Sequence, residues 1–183
     1  MTKLLLSLHV IAAIVAVGPV TVAASMFPPS ARQALAEPGS ERAVSNVRLL
    51  HRICRVYAGV GIAVPVFGFA TAAAMGVLLD PWLLVSIALT VAAAIVLVVL
   101  VLPRQEELLD ALGKAEAGGT ASSGPGAGTA TFPDRTATLP DRTATLPDRR
   151  TTARLAMYTG VFNLLWATVT VLMIVRPGST TGA

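Results

Sequence analysis

Few side chains in this 183-residue sequence could carry out chemistry, and His9 is the most distinctive of them. It lies in an apolar stretch, Leu4 to Phe27, that contains no Asp, Glu, Lys or Arg. A neutral imidazole can bind haem iron, copper or zinc, so His9 is a candidate cofactor ligand. We favour a structural role, either a hydrogen bond to a neighbouring helix or a side chain that snorkels to the outer interface, because metal sites normally need several converging ligands. The sequence therefore predicts no resident cofactor, with haem or copper at His9 as the alternative.

Two further residues with chemical potential, His51 and Cys54, lie close together in the sequence. Cys54 is the only cysteine, which excludes a disulfide within the chain, and Arg52 and Arg55 beside it could make its thiol reactive. We favour inert packing for Cys54, since a reactive thiol also needs exposure. The sequence contains no Gly-rich phosphate loop, HExxH pair or serine-nucleophile motif. We therefore expect no enzymatic activity.

The elements that must position these residues are four long apolar blocks. Hydrophobic residues make up 54% of the chain and charged residues only 13%, against roughly 25% charged residues in soluble domains. The blocks contain no charged residue and no period-2 alternation, and about 20 helical residues suffice to cross a bilayer core. The sequence therefore predicts an all-α, polytopic membrane protein built as a four-transmembrane-helix bundle. The predicted spans are 4–27, 56–79, 82–102 and 155–175.

The basic residues indicate which way this bundle faces. Twelve of the fourteen lie in the segments after the first and third blocks, and only Lys3 and Arg176 lie elsewhere. By the positive-inside rule these segments are cytoplasmic, so both termini and the Asp80-Pro81 turn are extracytoplasmic. The same asymmetry explains the high isoelectric point, so no nucleic-acid partner is expected. The expected surroundings are the lipid bilayer of a bacterial plasma membrane and either a second copy or another membrane protein.

This orientation separates the two histidines. His9 lies near the outer end of the first helix, about 27 Å of helix rise from its inner end. His51 lies on a cytoplasmic extension of the second helix. One chain therefore cannot use both histidines as axial ligands of one haem.

Small and polar residues within the spans predict how the helices pack. Glycine and alanine allow close approach of membrane helices, and an asparagine can form an interhelical hydrogen bond. Because these residues are concentrated in the second helix, we expect it to lie at the centre of the bundle. The predicted helix-packing residues are Gly61, Gly68, Ala72, Gly76 and Asn163.

Prolines, glycines and a repeat predict the segments between the spans. Pro28-Pro29 is expected to end the first helix, Ser40 to cap the extension of the second, and Pro103 to end or kink the third. An amphipathic helix is expected beyond Pro103, with Gly118-Gly119 as its stop. Three tandem heptapeptides follow, TATFPDR once and TATLPDR twice, between residues 129 and 149. A proline every seven residues predicts a disordered cytoplasmic linker, either a spacer or a repeated docking site.

The predicted organisation therefore has three parts. Residues 1–117 hold the first three spans and the amphipathic extension, residues 118–154 form the linker, and residues 155–183 hold the fourth span and a short tail. One alternative concerns the N-terminus. Residues 1–24 could be cleaved as a signal peptide, because Val22-Ala23-Ala24 offers the small residues of a cleavage site.

The opening LLLSLHVIAA from Leu4 to Ala13, followed by Gly18, resembles a class of small bacterial membrane proteins. In these proteins the first helix begins Leu-His-Val or Leu-His-Ile and closes with a glycine. The chain is most similar to a four-helix family of predicted integral membrane proteins of unknown function. Similar openings occur in copper-resistance-type proteins and in the membrane protoporphyrinogen-oxidase class, and this resemblance implies that His9 binds metal or haem.

The chain departs from the metal- and haem-linked relatives at two points. Those proteins usually have a tryptophan before the glycine, whereas Ala16-Val17 precedes Gly18 here, and no lysine lies within a span. The leading hypothesis is therefore a bundle-forming or accessory membrane protein without enzymatic activity. The alternatives are a haem- or copper-handling protein that uses His9 and a small-solute transporter. Transport is suggested by the Gly and Pro residues that interrupt the first two helices.

Overall fold

The computed structural model describes residues 2–37, 39–121 and 149–177, and over these residues the chain is all-helical. Two of its long rods contain more than one helix: Glu41–Val60 and Ala63–Met75 form one, and a π-helix at Val96–Val101 joins Pro81–Ile95 to Leu102–Ala121 in the other. Four rods result, each long and apolar enough to cross a membrane, which confirms the four predicted spans. The helices are α1 (Thr2–Ala36), α2 (Glu41–Val60), α3 (Ala63–Met75), α4 (Pro81–Ile95), α5 (Leu102–Ala121) and α6 (Arg149–Val175).

The first helix does not end where its prolines predicted. It continues through Pro19 and through Pro28-Pro29 to Ala36. A proline removes one backbone donor and disturbs the turn before it, but helical hydrogen bonds can resume beyond that turn. Phe27, Ala31 and Ala34 are buried at spacings of four and three residues, so one packed seam crosses the proline pair. Packing of this seam offsets the local loss of hydrogen bonds.

The third rod also continues through its proline. Its π-helix lies directly before Pro103, and α5 then runs to Ala121, beyond the predicted stop at Gly118-Gly119. A π-helical turn changes the hydrogen-bond register and is one of the usual ways in which a helix accommodates a disturbance. Buried residues recur on one face before and after the proline at Val101, Leu108 and Leu112. The third helix is therefore deformed at Pro103 and not ended by it.

The second rod is interrupted at Gly61, as its glycine and proline content predicted. Gly61 N donates to the carbonyl oxygen of Tyr57, and Val64 N donates to that of Gly61 in a tighter turn. The next residue, Pro65, has no backbone donor, so the regular ladder restarts only beyond it. Ser40 caps the beginning of this rod, since its hydroxyl accepts from Ala43 N at 3.4 Å, which confirms the predicted N-cap.

The centre of the bundle is α1, and the prediction that the second helix lies there is wrong. α1 packs against α2, α3 and α6, while α4 packs against α6. The physical reason is a series of small residues along α1 that admits neighbours on several sides. These buried residues are Ala16, Ala23, Ala24, Ala31 and Ala34.

Three of the four rods are longer than a bilayer requires. Each has 35 or 36 residues, against about 20 for a bilayer core. The excess, together with the first residues of the fourth rod, forms a helical region that holds most of the charged side chains, and we call this the charged end. It comprises residues 28–36, 41–55, 103–116 and 150–154. The predicted linker, 118–154, is helical at both of its ends, and residues 122–148 with most of the heptapeptides lie outside the described residues.

Candidate functional site

His9 joins α1 to α3. Its Nδ1 lies 2.9 Å from the carbonyl oxygen of Val64. A carbonyl can only accept, so Nδ1 donates this hydrogen bond, and in the neutral form of the ring the lone pair is on Nε2. The ring lies against Gly68, where an added Cβ would be 2.8 Å from Cε1 of the imidazole. Gly68 is therefore a notch that admits the His9 ring.

The same geometry leaves one nitrogen of His9 suitable as a ligand. Metal-binding histidines commonly donate their other ring nitrogen to a carbonyl, as His9 does to Val64. No group of three His, Cys, Asp or Glu side chains that could hold a metal ion occurs among the described residues. The described part of the chain thus offers a single, well-oriented nitrogen and no converging set.

The predicted helix-packing residues have two different roles. Gly68 receives His9, and Ala72 is buried in a cluster with Trp82 and Leu83. By contrast, Gly61 lies at the break between α2 and α3. Gly76 ends α3 with a left-handed φ of 72° and has nothing within 4 Å of an added Cβ. Gly61 and Gly76 therefore shape the backbone of the second rod, and their helix-packing role stays a prediction.

The fifth predicted packing residue, Asn163, joins α6 to α1. Its Nδ2 donates to Ser25 Oγ at 3.1 Å. Its Oδ1 and the Oγ1 of Thr159, one helical turn away, are buried and have no hydrogen-bond partner among the described residues. Other hydroxyls in the spans, such as those of Ser86 and Thr168, donate to the carbonyl four residues earlier. The α1–α6 interface thus contains the least satisfied polar groups of the described spans.

A second polar group lies at the charged end, around Gln105. This side chain is fully buried; its Oε1 lies 3.1 Å from Nδ1 of His51, and its Nε2 donates to Cys54 Sγ at 3.6 Å. The other ring nitrogen of His51 lies 3.6 Å from a carboxylate oxygen of Glu106. Cys54 is itself fully buried, which removes the exposure that a reactive thiol needs. Both histidines are therefore engaged in helix–helix contacts, in different parts of the bundle.

Sequence reasoning missed Gln105 and Ser25. Gln105 lies four residues after Val101 and three before Leu108, both buried, so its spacing places it on the inward face of α5. That spacing was the available indication. Nothing in the sequence distinguished Ser25, because its role depends on where α6 passes.

The opposite end of the bundle is held by Trp82. Its Nε1 donates to Asp80 Oδ2 at 3.0 Å, and the guanidinium of Arg176 lies 5.7 Å from the ring centroid. Arg176 directly follows α6, so this cation–π contact joins the end of α6 to the beginning of α4. A tryptophan at this level is typical of a membrane–water interface.

Comparison with known proteins gives a match to a family model. The family model described as "Predicted integral membrane protein (DUF2269)" matches residues 3–131, which is more than half of the chain. No curated protein and no solved structure matches the chain. The resemblance of the first helix to copper-resistance-type and protoporphyrinogen-oxidase-type proteins therefore stays a prediction.

Proposed function

The chain belongs to this DUF2269 family of predicted integral membrane proteins, and we propose that it is a non-enzymatic, bundle-forming accessory protein of a bacterial plasma membrane. It is a multi-pass protein in contact with the lipid bilayer. In the proposal, its role is to assemble with a second copy or with another membrane protein. Both termini lie outside the cytoplasm and the charged end lies inside.

The use of His9 carries this proposal. His9 is the only histidine in the four apolar blocks, which contain no Asp, Glu, Lys or Arg, and its Nδ1–H donates to a backbone carbonyl of the next rod. Ionisable groups within a membrane are costly and are by default functional candidates. Here His9 joins α1 to α3, and Asn163, the only amide side chain of the spans, joins α6 to α1. The positions of these polar groups thus favour a structural role in the bundle over a shared catalytic or cofactor site.

The apolar outer surface of the bundle supports the proposed assembly with a second copy or with another membrane protein. In the most apolar part of each rod, at most 28% of the residues are buried inside the structure. Large apolar side chains such as Ile14, Phe69 and Leu164 are more than half exposed. This surface suits lipid tails and equally suits the helices of a partner, since packing and lipid entropy drive helix association in membranes.

One experiment tests the accessory role against cofactor chemistry. The full chain is purified in mild detergent beside His9→Ala, and absorbance spectra and copper and iron contents are measured before and after incubation with haemin or a copper salt. His51→Ala is the matched control, because it removes the chain's other histidine, which lies outside the apolar blocks. We expect no haem band and no stoichiometric metal in any sample. A haem band or bound copper lost only in His9→Ala would overturn the proposal.

The second candidate function is haem or copper binding at His9. The observation that favours it is the lone pair of Nε2, which the Nδ1 hydrogen bond to Val64 leaves available. In this case further ligands would come from a second chain or from residues outside the described ranges. The same spectra decide between the candidates.

The orientation has its own test. Alkaline phosphatase, which is active only outside the cytoplasm, and green fluorescent protein, which folds inside, are fused in turn after Ala183. We expect an active phosphatase and no fluorescence. The reverse pair of results would place the C-terminus inside and the charged end outside.

A further inference from the structure

Three arginines line one cavity at the charged end, between α5 and α6. The cavity has a volume of about 200 Å³ and is lined by Arg104, Arg150, Thr151 and Arg154. It is much larger than the roughly 10–15 Å³ that a cavity needs in order to hold one water molecule. Two separate segments of the chain thus place three guanidinium groups around one space.

The cavity lies at the level where the apolar spans end. Arg104 follows the third apolar block, whose last residue is Leu102, and Arg154 directly precedes Leu155, the first residue of the fourth. Side chains one or two positions beyond a span lie at the depth of the lipid headgroups. The cavity therefore faces the layer in which lipid phosphates are most concentrated.

The charge of the lining favours an anion. Among the described residues, the lining includes no carboxylate. Glu107 lies 3.0 Å from Arg104 on the same helix, and both side chains are about half exposed, so this ion pair is screened by solvent. The planar fork of a guanidinium matches phosphate oxygens, and the Thr151 hydroxyl supplies a further donor.

We propose that this cavity binds a phosphate group, and that in the membrane this is the headgroup phosphate of an anionic lipid. The depth of the cavity favours the lipid over a free anion, because a dissolved phosphate gains nothing from lying beside the apolar spans. Basic pockets between helices near the membrane surface commonly take such headgroups. This site is independent of His9 and of the accessory role.

The test uses the full chain in detergent and three probes: short-chain phosphatidylglycerol, phosphatidylcholine with the same acyl chains, and inorganic phosphate. Binding is followed by native mass spectrometry and by the rise in Tm. The site variant carries Arg104→Gln, Arg150→Gln and Arg154→Gln. The matched control carries Arg32→Gln, Arg52→Gln and Arg55→Gln, three exposed arginines of the charged end that do not line the cavity. Both variants lose the same formal charge.

We expect phosphatidylglycerol to bind the wild type and the control variant with similar affinity. In the site variant the affinity should fall about fivefold for each cavity arginine removed. Phosphatidylcholine should bind more weakly because its headgroup is zwitterionic. If inorganic phosphate raised the Tm as much as phosphatidylglycerol does, and the site variant lost this rise, the cavity would still be a phosphate site. Its ligand would then be a free anion and not a lipid headgroup. Equal loss in both variants would overturn the proposal in favour of general surface charge, and so would absence of binding by every probe.

Discussion

The imidazole of His9 occupies the space that a side chain at position 68 would need. An ideal Cβ on Gly68 would be 2.8 Å from Cε1 of the ring and 3.1 Å from its Nδ1. The approach of α1 to α3 thus depends on a ring in one helix and on the absence of a side chain in the other. The two positions should therefore behave as one unit when either is changed.

We expect Gly68→Ala to lower the free energy of unfolding by about 1–3 kcal/mol, the usual cost of overpacking. The added methyl group would displace the His9 ring and stretch its hydrogen bond to Val64. Denaturant unfolding in one detergent measures the effect. Gly160→Ala is the matched control, because Gly160 is also helical and within a span and has no atom within 4 Å of an added Cβ. An equal effect of both substitutions would show that the loss of stability does not come from contact between position 68 and the His9 ring.

Replacing the ring as well should remove most of this cost. In a His9→Ala background, the space beside position 68 is empty, so Gly68→Ala should be nearly neutral. A double-mutant cycle of the four proteins measures the coupling, since contacting residues deviate from additivity. Additive effects would show that Gly68 is sensitive for a reason other than the imidazole.

Gln105 should be the most sensitive polar residue of the charged end. Gln105→Leu keeps the volume but leaves buried groups of His51 and Cys54 without partners, and we expect a loss of about 1–3 kcal/mol. Adding His51→Leu should recover part of it, because removal of both partners is less costly than removal of one. Thermal unfolding provides the measurement, with exposed Gln33→Leu as the control. A neutral Gln105→Leu would show that His51 is satisfied by Glu106 alone.

The burial of Cys54 predicts slow alkylation of its thiol. It is fully buried beneath Gln105, in spite of the arginines on either side of it in the sequence. A maleimide should therefore label the folded protein at least about a hundredfold more slowly than the unfolded chain, because labelling requires opening of a stable region. Gln105→Leu should accelerate labelling. Fast labelling of the folded wild type would show that the thiol is accessible.

The spans were predictable from sequence because they depend on the length of uncharged apolar runs, which can be read directly from the residues. An uncharged apolar run of more than 20 residues has few alternatives to a membrane helix, and all four rods contain one. The Ser40 cap was predictable for a similar reason, since it depends on one side chain and a backbone donor three residues away.

The continuity of the helices was not predictable from the same local rules. Pro28-Pro29 and Pro103 disfavour helix locally, and their effect is overcome by contacts with other rods that the sequence does not display. Alanine forms much of the packed seam of α1, and the sequence has alanine in every apolar block, so the seam does not stand out. The partners of His9 and Gln105 are more than fifty residues away from them, and their identity follows only from the packing.

Asn163 and Ser25 allow a test of whether the polar group between α1 and α6 is structural. The hydrogen bond between them is expected to contribute about 1 kcal/mol or less, as is usual in membranes. Asn163→Leu loses this bond but also removes Oδ1, which is buried without a partner. Ser25→Ala loses the same bond and leaves the whole amide unpaired. We therefore expect Ser25→Ala to be the more destabilising change, and the double variant to resemble Asn163→Leu.

Unfolding in detergent measures the three variants, and Thr168→Val is the control, because its hydroxyl is exposed and bonds only within α6. A small-solute transporter would give another pattern. If Asn163 and Thr159 held a solute, Asn163→Leu would abolish flux into proteoliposomes while leaving stability nearly unchanged, and Ser25→Ala would reduce flux less. We expect no solute flux above that of empty liposomes in any variant. If Asn163→Leu abolished solute flux and Thr168→Val preserved it, the α1–α6 interface would be a transport site and not only a structural helix–helix contact.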